Sequence, residues 1–358
     1  MSTTTKQNST QFTDTETFDP FDVDARFEIE ARENKPAVFY LNKFASEYEG
    51  EVKAFINAQR QHKTLFTLPF KQTSKGYEGK EYDFEFRPGE LTVLGGSNGS
   101  GKSMLIGQIA LHLINRGARP YIASFEMSPV RTLVRLCRQA MCTRIHSSVS
   151  ADVAKRFLAN VSENLVIFSQ EQATNINQLL EFLNSAVSDY GCNILFIDSL
   201  MMCVSNDMDK IETDALMQEL VQFCREKNVH VVLVAHFRKL GGSADKPKYS
   251  VYDEADKDNI KGASGITNLA FNVITLAKNR KKAKDKAAMN EFDDSQPDHV
   301  LNICKQRNGS YEGYVNLWFD SISLNFCTSW ERDASPYQHY LEGPDFHPTT
   351  ISDEEKEF

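Results

Sequence analysis

The sequence predicts an α/β fold in which a largely parallel central sheet carries helices on both faces, preceded by a helical linker. Three observations lead there. Between about residues 83 and 326, short apolar runs alternate with longer stretches of helical period, the signature of strand–helix units laid side by side. The first of these runs leads into a glycine-rich loop, Gly96-Ser97-Asn98-Gly99-Ser100-Gly101-Lys102-Ser103, which opens a helix. A later run, 194–197, ends in the acid Asp198, at the strand end where such sheets bind ligands.

Residues 1–34 are Ser, Thr, Gln, Asp and Glu with scattered Phe and no sustained period, which predicts a disordered acidic and polar segment. Within it Phe18-Asp-Pro-Phe21 reads either as part of a bland tail or as a short docking motif. Val38, Leu41, Phe44 and Tyr48 recur at helical spacing. They make 35–82 a linker segment, packed on its own domain or on a neighbouring subunit. Next come a strand at 91–94 and a helix at 104–115 stopped by Arg116-Gly117. Strands at 121–125, 165–168, 193–197 and 229–235 then alternate with helices at 129–141, 176–190 and 212–227. Beyond 236 the pattern changes. Residues 237–260 are polar, basic and Gly-containing, a long loop of the kind that is functional or disordered. A strand at 273–276 and a basic stretch at 278–286 follow. Strands at 300–304 and 313–319 flank Asn308-Gly309, a strong hairpin signal. The main domain is expected to span 83–330, and 331–358 reads as an acidic tail.

The chain has 358 residues, 41% hydrophobic and 25% charged, an ordinary globular balance. No apolar run approaches the ~18–20 residues of a membrane helix, and the polar N-terminus does not resemble a signal peptide. Seven cysteines, an odd number without a CxxC pair, read as free thiols and not as disulfides or a zinc site. A cytoplasmic protein is expected, in the host cytoplasm if it is phage-encoded. The net charge of −9 weighs against a simple nucleic-acid coat protein. Even so, 236–307 is locally rich in Lys and Arg.

The glycine-rich loop fits G-x-x-x-x-G-K-[ST] at every fixed position, between a strand and a helix as the motif requires. Its glycines let backbone N–H groups surround phosphate oxygens. Lys102 is expected at the β- and γ-phosphates and Ser103 on Mg²⁺, with the helix N-terminus adding partial positive charge. Asp198 is the expected second metal ligand. Glu126, at the end of the strand after the loop helix, can orient a water as catalytic base. His236, at the end of the strand after Asp198, can sense the γ-phosphate and inform the loop beyond. On position alone each of these has a plainer reading: a capping Asp, a solvated Glu, a hydrogen-bonded core His.

Further elements follow in order: Ser124-Phe-Glu126-Met-Ser128, Ile197-Asp198-Ser-Leu, Val234-Ala-His236-Phe-Arg-Lys239, Lys261-Gly262-Ala-Ser264-Gly265 and Lys305-Gln-Arg307-Asn-Gly309. Together with the loop they resemble the RecA-type motor of DnaB-family replicative DNA helicases. The His236 and Arg-Lys pattern is closer to phage primase-helicases and Twinkle-like helicases. The resemblance covers about 83–326. It implies a RecA-like P-loop NTPase fold, a homo-hexameric ring around single-stranded DNA and 5′→3′ translocation driven by ATP (or dTTP) with Mg²⁺. On the matching positions it implies Glu126 as catalytic glutamate, Asp198 on the metal and His236 as γ-phosphate sensor. Lys305 and Arg307 become a basic pair presented to the neighbouring subunit's nucleotide, with Arg307 as arginine finger and Arg280 its rival. Lys261, Gly262 and Ser264 fall on the DNA-facing loop, and Lys246 and Lys248 can add charge along a phosphate backbone. Where the family usually carries Ala-Asp after this loop, here Ala270 is followed by Phe271-Asn272. The stretch 278–298 looks like an inserted basic-to-acidic excursion.

The tail Ser352-Asp-Glu-Glu-Lys-Glu-Phe358 reads either as a solubilising end or as a dock for a primase, polymerase or single-strand-binding protein. The reading of the whole is an ATP-dependent replicative helicase. The alternatives are a RecA- or RadA-like recombination or repair ATPase and, from another class, an ATP-gated loader or switch.

Overall fold

The computed structural model describes residues 45, 49–50, 52–53, 66–73, 84–141, 149–168, 176–199, 210–238, 250–309 and 311–332. The chain divides at residue 63/64. In the first part Lys53 pairs with Glu49 one helical turn earlier. The 1–34 segment, most of the expected linker helix and the acidic tail lie outside the described residues.

The second part is built on a sheet of nine strands in the order β3-β2-β4-β5-β1-β6-β7-β8-β9. They are β1 (Leu91–Gly96), β2 (Pro120–Ser124), β3 (Val166–Ile167), β4 (Ile194–Asp198), β5 (His230–His236), β6 (Asn272–Lys278), β7 (His299–Gln306), β8 (Gly313–Asp320) and β9 (Asn325–Cys327). From β3 to β6 neighbours run parallel, and from β6 to β9 antiparallel. Strands β1, β2 and β4 are buried at every residue. Burial on both faces is why they read as continuous apolar runs.

Alternation along each strand sorts the core into two layers. Leu94, Ile122, Phe196, Val234 and Ile274 pack with α1 (Lys102–Ile114), α2 (Pro129–Met141) and α3 (Ala151–Val161) through Leu105, Ile109, Leu136 and Phe157. Val93, Leu195, Ile197, Leu233 and Val273 pack on the opposite face. There they meet α4 (Ile176–Ser188), α5 (Lys210–Lys227) and α7 (Ala263–Leu269) through Leu183, Leu216, Leu220 and Ile266. Pro129 opens α2 at a position where a missing N–H costs nothing.

Helix α3 and strand β9 were not anticipated. Only Phe157 and Val161 of α3 are buried, too thin a stripe for a period to emerge, and Ser150 caps it by accepting from the Val153 N–H. β9 has three residues and is held partly by a side chain. The Gln108 amide of α1 donates to the Phe326 carbonyl at 2.9 Å and accepts from its N–H at 2.8 Å, as a neighbouring strand would.

The segment 237–260 is more ordered than its composition suggests. Its ends meet in a bridge between Phe237 and Ile260. Inside lie α6 (Val251–Glu254), with a Ser250/Asp253 capping box, and a 3₁₀ turn at Lys257–Asn259. Residues 239–249, and with them Lys246 and Lys248, lie outside the described residues. The basic-to-acidic excursion folds back on itself. Its helix α8 (Arg280–Ala287) is capped by Asn279. The nearly buried Lys282 pairs with Asp294 at 3.1 Å and Asp298 at 2.9 Å, and Arg332 closes on the same two acids. The charge asymmetry seen in the sequence is therefore an internal clamp.

Asn272 also finds its reason. It is fully buried at the start of β6, and its amide donates to Glu90 Oε2 at 3.2 Å and Thr92 Oγ1 at 3.1 Å. A carboxylate there has no hydrogen to donate to Glu90.

Candidate nucleotide site

The P-loop closes the C-terminal end of β1, between the ends of β5 and β6. Gly101, at the N-terminus of α1, has φ +92°, which glycine adopts without strain. At Gly96 a Cβ would meet the Leu276 carbonyl at 2.7 Å, so the strand can turn this closely only with glycine. The Lys102 ammonium donates to the carbonyls of Gly96 and Ser97, each at 3.0 Å, bracing the loop from inside.

Strand ends bring the other groups to it. Ser103 Oγ donates to Asp198 Oδ2 at 2.5 Å. Burial pushes the Asp198 carboxyl above the ordinary range, while the Ser103 hydrogen bond opposes that rise. Glu126 accepts from Ser199 Oγ at 3.4 Å and lies 3.6 Å from His236 Nε2. On its other side, His236 Nδ1 faces Lys102 Nζ at 3.4 Å. An ammonium can only donate, so Nδ1 accepts and the ring proton sits on Nε2, toward Glu126. Burial and then Lys102 hold the His236 pKa below the usual histidine value, keeping the ring neutral at pH 7. Lys102, Glu126, Asp198 and His236 thus line one cavity of about 420 Å³.

The donor set fits a magnesium ion. Ser103 and Asp198 offer hard oxygens, and among the described residues no group of three or more His, Cys, Asp or Glu could hold a metal by itself. The protein therefore supplies part of a coordination shell and leaves the rest to water and substrate phosphates, as Mg²⁺ prefers.

The path from nucleotide to loop is short. The Lys261 N–H donates to the carbonyl of His236 at 2.8 Å. Gly262, with φ +76°, then starts α7, in whose first turn the backbone of Ser264 lies.

Lys305 and Arg307 are far from this chain's own cavity. Gly96 pairs with Leu276 on β6, whereas Gln306 pairs with Asn272, about 13 Å back along the strand at ~3.3 Å per residue. Lys305 donates to the carbonyls of Thr267 and Ala270 at 2.7 and 2.8 Å, capping the C-terminal end of α7. Burial, then Arg307, brings its pKa down to about 8. Arg307 donates to the Asn268 carbonyl, and its guanidinium lies 5.3 Å over the Phe271 ring. Arg280 is held by Glu254 at 3.0 Å.

Sequence reasoning missed the rest of the cavity wall: Arg135 on α2, Lys278 and His299 at facing ends of β6 and β7, and Phe319 and Phe326. Phe326 lies against Gly101. An arginine within a helix, or a phenylalanine in a short late strand, carries no signal of its own. Only the fold brings them to the loop.

Comparison with known proteins agrees with this geometry. Residues 81–242 match the AAA domain family. That makes the segment a P-loop NTPase domain, which implies nucleotide binding and hydrolysis. DNA repair protein RadA of Streptococcus pyogenes serotype M6 is 22% identical over 220 residues, 60% of this chain and 42% of RadA. RadA of serotype M3 is 24% identical over the same shares. The match spans less than half the length of these relatives. In solved structures, the ATPase domain of a phage helicase superposes with a TM-score of 0.59 at 16% identity, covering 79% of this chain and 99% of that domain. A DnaB-like replicative helicase, described with its interactions with primase, superposes with a TM-score of 0.57 at 17% identity, covering 85% and 70%. The fold is RecA-like. Among the described residues no helix is long and apolar enough to cross a membrane.

Proposed function

We propose that the protein is an ATP-dependent replicative DNA helicase, a homo-hexameric ring that moves 5′→3′ on single-stranded DNA and unwinds duplex at a fork. The observation that carries this reading is the separation of Lys305 and Arg307 from the P-loop of their own chain. A phosphoryl transfer needs an added cation for the charge that develops on the transferring group. A cation on the opposite end of the strands can serve only a neighbour's nucleotide, which ties hydrolysis to assembly.

In this reading the nucleotide is ATP or dTTP. Gly96 to Ser103 wrap the phosphates, and Lys102 exchanges its loop carbonyls for β- and γ-phosphate oxygens. Mg²⁺, held through Ser103 and Asp198, would supply charge neutralisation at the phosphates. Glu126 orients a water and takes its proton as the water oxygen bonds to the γ-phosphorus. The bond to the β–γ bridging oxygen breaks, and ADP leaves with the electron pair. His236, bonded through its carbonyl to Lys261, transmits the loss of γ-phosphate to Lys261, Gly262 and Ser264, which track the DNA backbone. Lys246 and Lys248 belong to the same proposed surface.

The test is strand displacement on forked duplexes with a 5′ or a 3′ single-stranded tail, alongside the native mass. The reading expects a hexamer that opens the 5′-tailed fork with ATP and Mg²⁺. The similarity to RadA favours a second reading, a repair ATPase. DNA-stimulated hydrolysis without strand displacement would select it. Hydrolysis indifferent to DNA would instead select the loader or switch.

A further inference from the structure

Arg135 stands in the cavity wall with no assigned task. It projects from α2 beside Ser103, Glu126 and Asp198 and is partly buried. Its guanidinium donates from Nη2 to the thioether sulfur of Met127 at 2.7 Å, a weak acceptor that carries no charge. Asp198 acts on it only through space, and the Asp198 oxygen Oδ2 is already taken by Ser103. A guanidinium withdrawn from water onto a thioether is costly unless an anion completes it. Its bond to Met127, the residue after Glu126, aims it at the end of the cavity where Glu126, Asp198 and His236 converge. That end also gathers carboxylates around whatever anion enters, while His236 is neutral and adds no charge.

We propose that Arg135 is a second catalytic cation, supplied in cis, whose guanidinium grips the γ-phosphate oxygens of a bound nucleoside triphosphate. A planar fork suits two phosphate oxygens better than a point charge does. Arg135 then holds the terminal phosphate from within the chain, and the group contributed by the neighbour completes the set at the moment of transfer. The proposal rests on the nucleotide site of the preceding reading and not on its DNA motor.

The experiment measures binding of ADP and of ATPγS, each with Mg²⁺, and hydrolysis of ATP without DNA. It uses the full chain and its Arg135→Ala, Arg135→Lys and Met127→Ala variants. Arg135→Ala should weaken ATPγS by about 10-fold or more while ADP stays within about 3-fold, and turnover should fall roughly 10²-fold. Retained ADP binding shows that the site has folded. Arg135→Lys should recover part of the ATPγS affinity and little of the rate, and it carries the test if the alanine variant does not fold. Met127→Ala removes the tether and keeps the cation, so it should preserve the preference for ATPγS. Equal losses for ADP and ATPγS, no loss for either, or the same loss in Met127→Ala would overturn the proposal. Because the binding preference is read without DNA, it is decided whether or not the protein unwinds a fork.

Discussion

Asn272→Asp is the perturbation whose cost can be worked most fully from the structure. The Asn272 amide is fully buried and donates to Glu90 Oε2 at 3.2 Å and Thr92 Oγ1 at 3.1 Å. Aspartate puts an acceptor where both partners need a donor. Two like charges at that separation repel by about 5 kcal/mol at an effective dielectric of ~20. Taking up one proton at pH 7, by an acid whose ordinary pKa is about 4, relieves the repulsion for about 4 kcal/mol. The cheaper route sets the loss, so the variant should be less stable by about 4 kcal/mol at pH 7. The new pair takes up its proton more readily in the folded than in the unfolded chain. Its folded pKa is therefore raised, and the loss shrinks by about 1.4 kcal/mol for each unit by which pH falls toward 5. Urea denaturation at fixed protein concentration, at pH 7 and pH 5, measures both numbers. Adding Glu90→Gln should restore most of the loss, a coupling of at least ~2 kcal/mol between the two sites. A variant within ~1 kcal/mol of the parent at pH 7, or a loss that does not shrink at pH 5, would refute this account of the buried network.

Three further outcomes follow from named groups. Glu126→Gln should lower turnover by roughly 10²–10⁴-fold and leave nucleotide binding intact; comparable turnover in parent and variant would remove Glu126 as the base. Lys282→Ala leaves Asp294 and Asp298 to Arg332 alone, and denaturant titration should show a loss of about 3 kcal/mol. His230 is wholly buried, donating from Nδ1 to the Arg87 carbonyl and accepting at Nε2 from Thr92. Burial drops its pKa to about 4, so the unfolded chain binds a proton that the folded chain refuses. Stability from this group is present above pH 6.5 and falls by about 2 kcal/mol between pH 7 and 5. His230→Gln should make the measured pH dependence shallower by about one proton over that range.

The groups that touch phosphate were legible because their chemistry leaves a local mark. A glycine-rich loop must carry its glycines in sequence, and a buried parallel strand must be apolar up to the residue it presents. So Lys102, Ser103, Glu126, Asp198 and His236 could be named, and one cavity gathers them. Arg135 could not, because only the packing of α2 against α1 brings it to Asp198. Lys305 was legible as a cation but not as the cap of α7, since that contact joins residues far apart in the chain. The order within 237–260 was hidden by composition: polar residues there make caps and turns whose partners are local side chains, and no apolar period marks them. Lys282 looked like one surface lysine among many until Asp294 and Asp298 closed over it.

The central claim is that Arg307 completes a neighbour's nucleotide site. Hydrolysis with and without single-stranded DNA, for the parent and Arg307→Ala, tests it most directly when the two proteins are also mixed before assembly. Loss of a cation acting in trans should cost roughly 10³-fold or more in DNA-stimulated turnover with nucleotide binding intact. Adding the Glu126→Gln protein, whose own base is missing but whose Arg307 is present, should restore activity at the sites of Arg307→Ala subunits. Full activity in Arg307→Ala alone, or no recovery on mixing, would contradict the account.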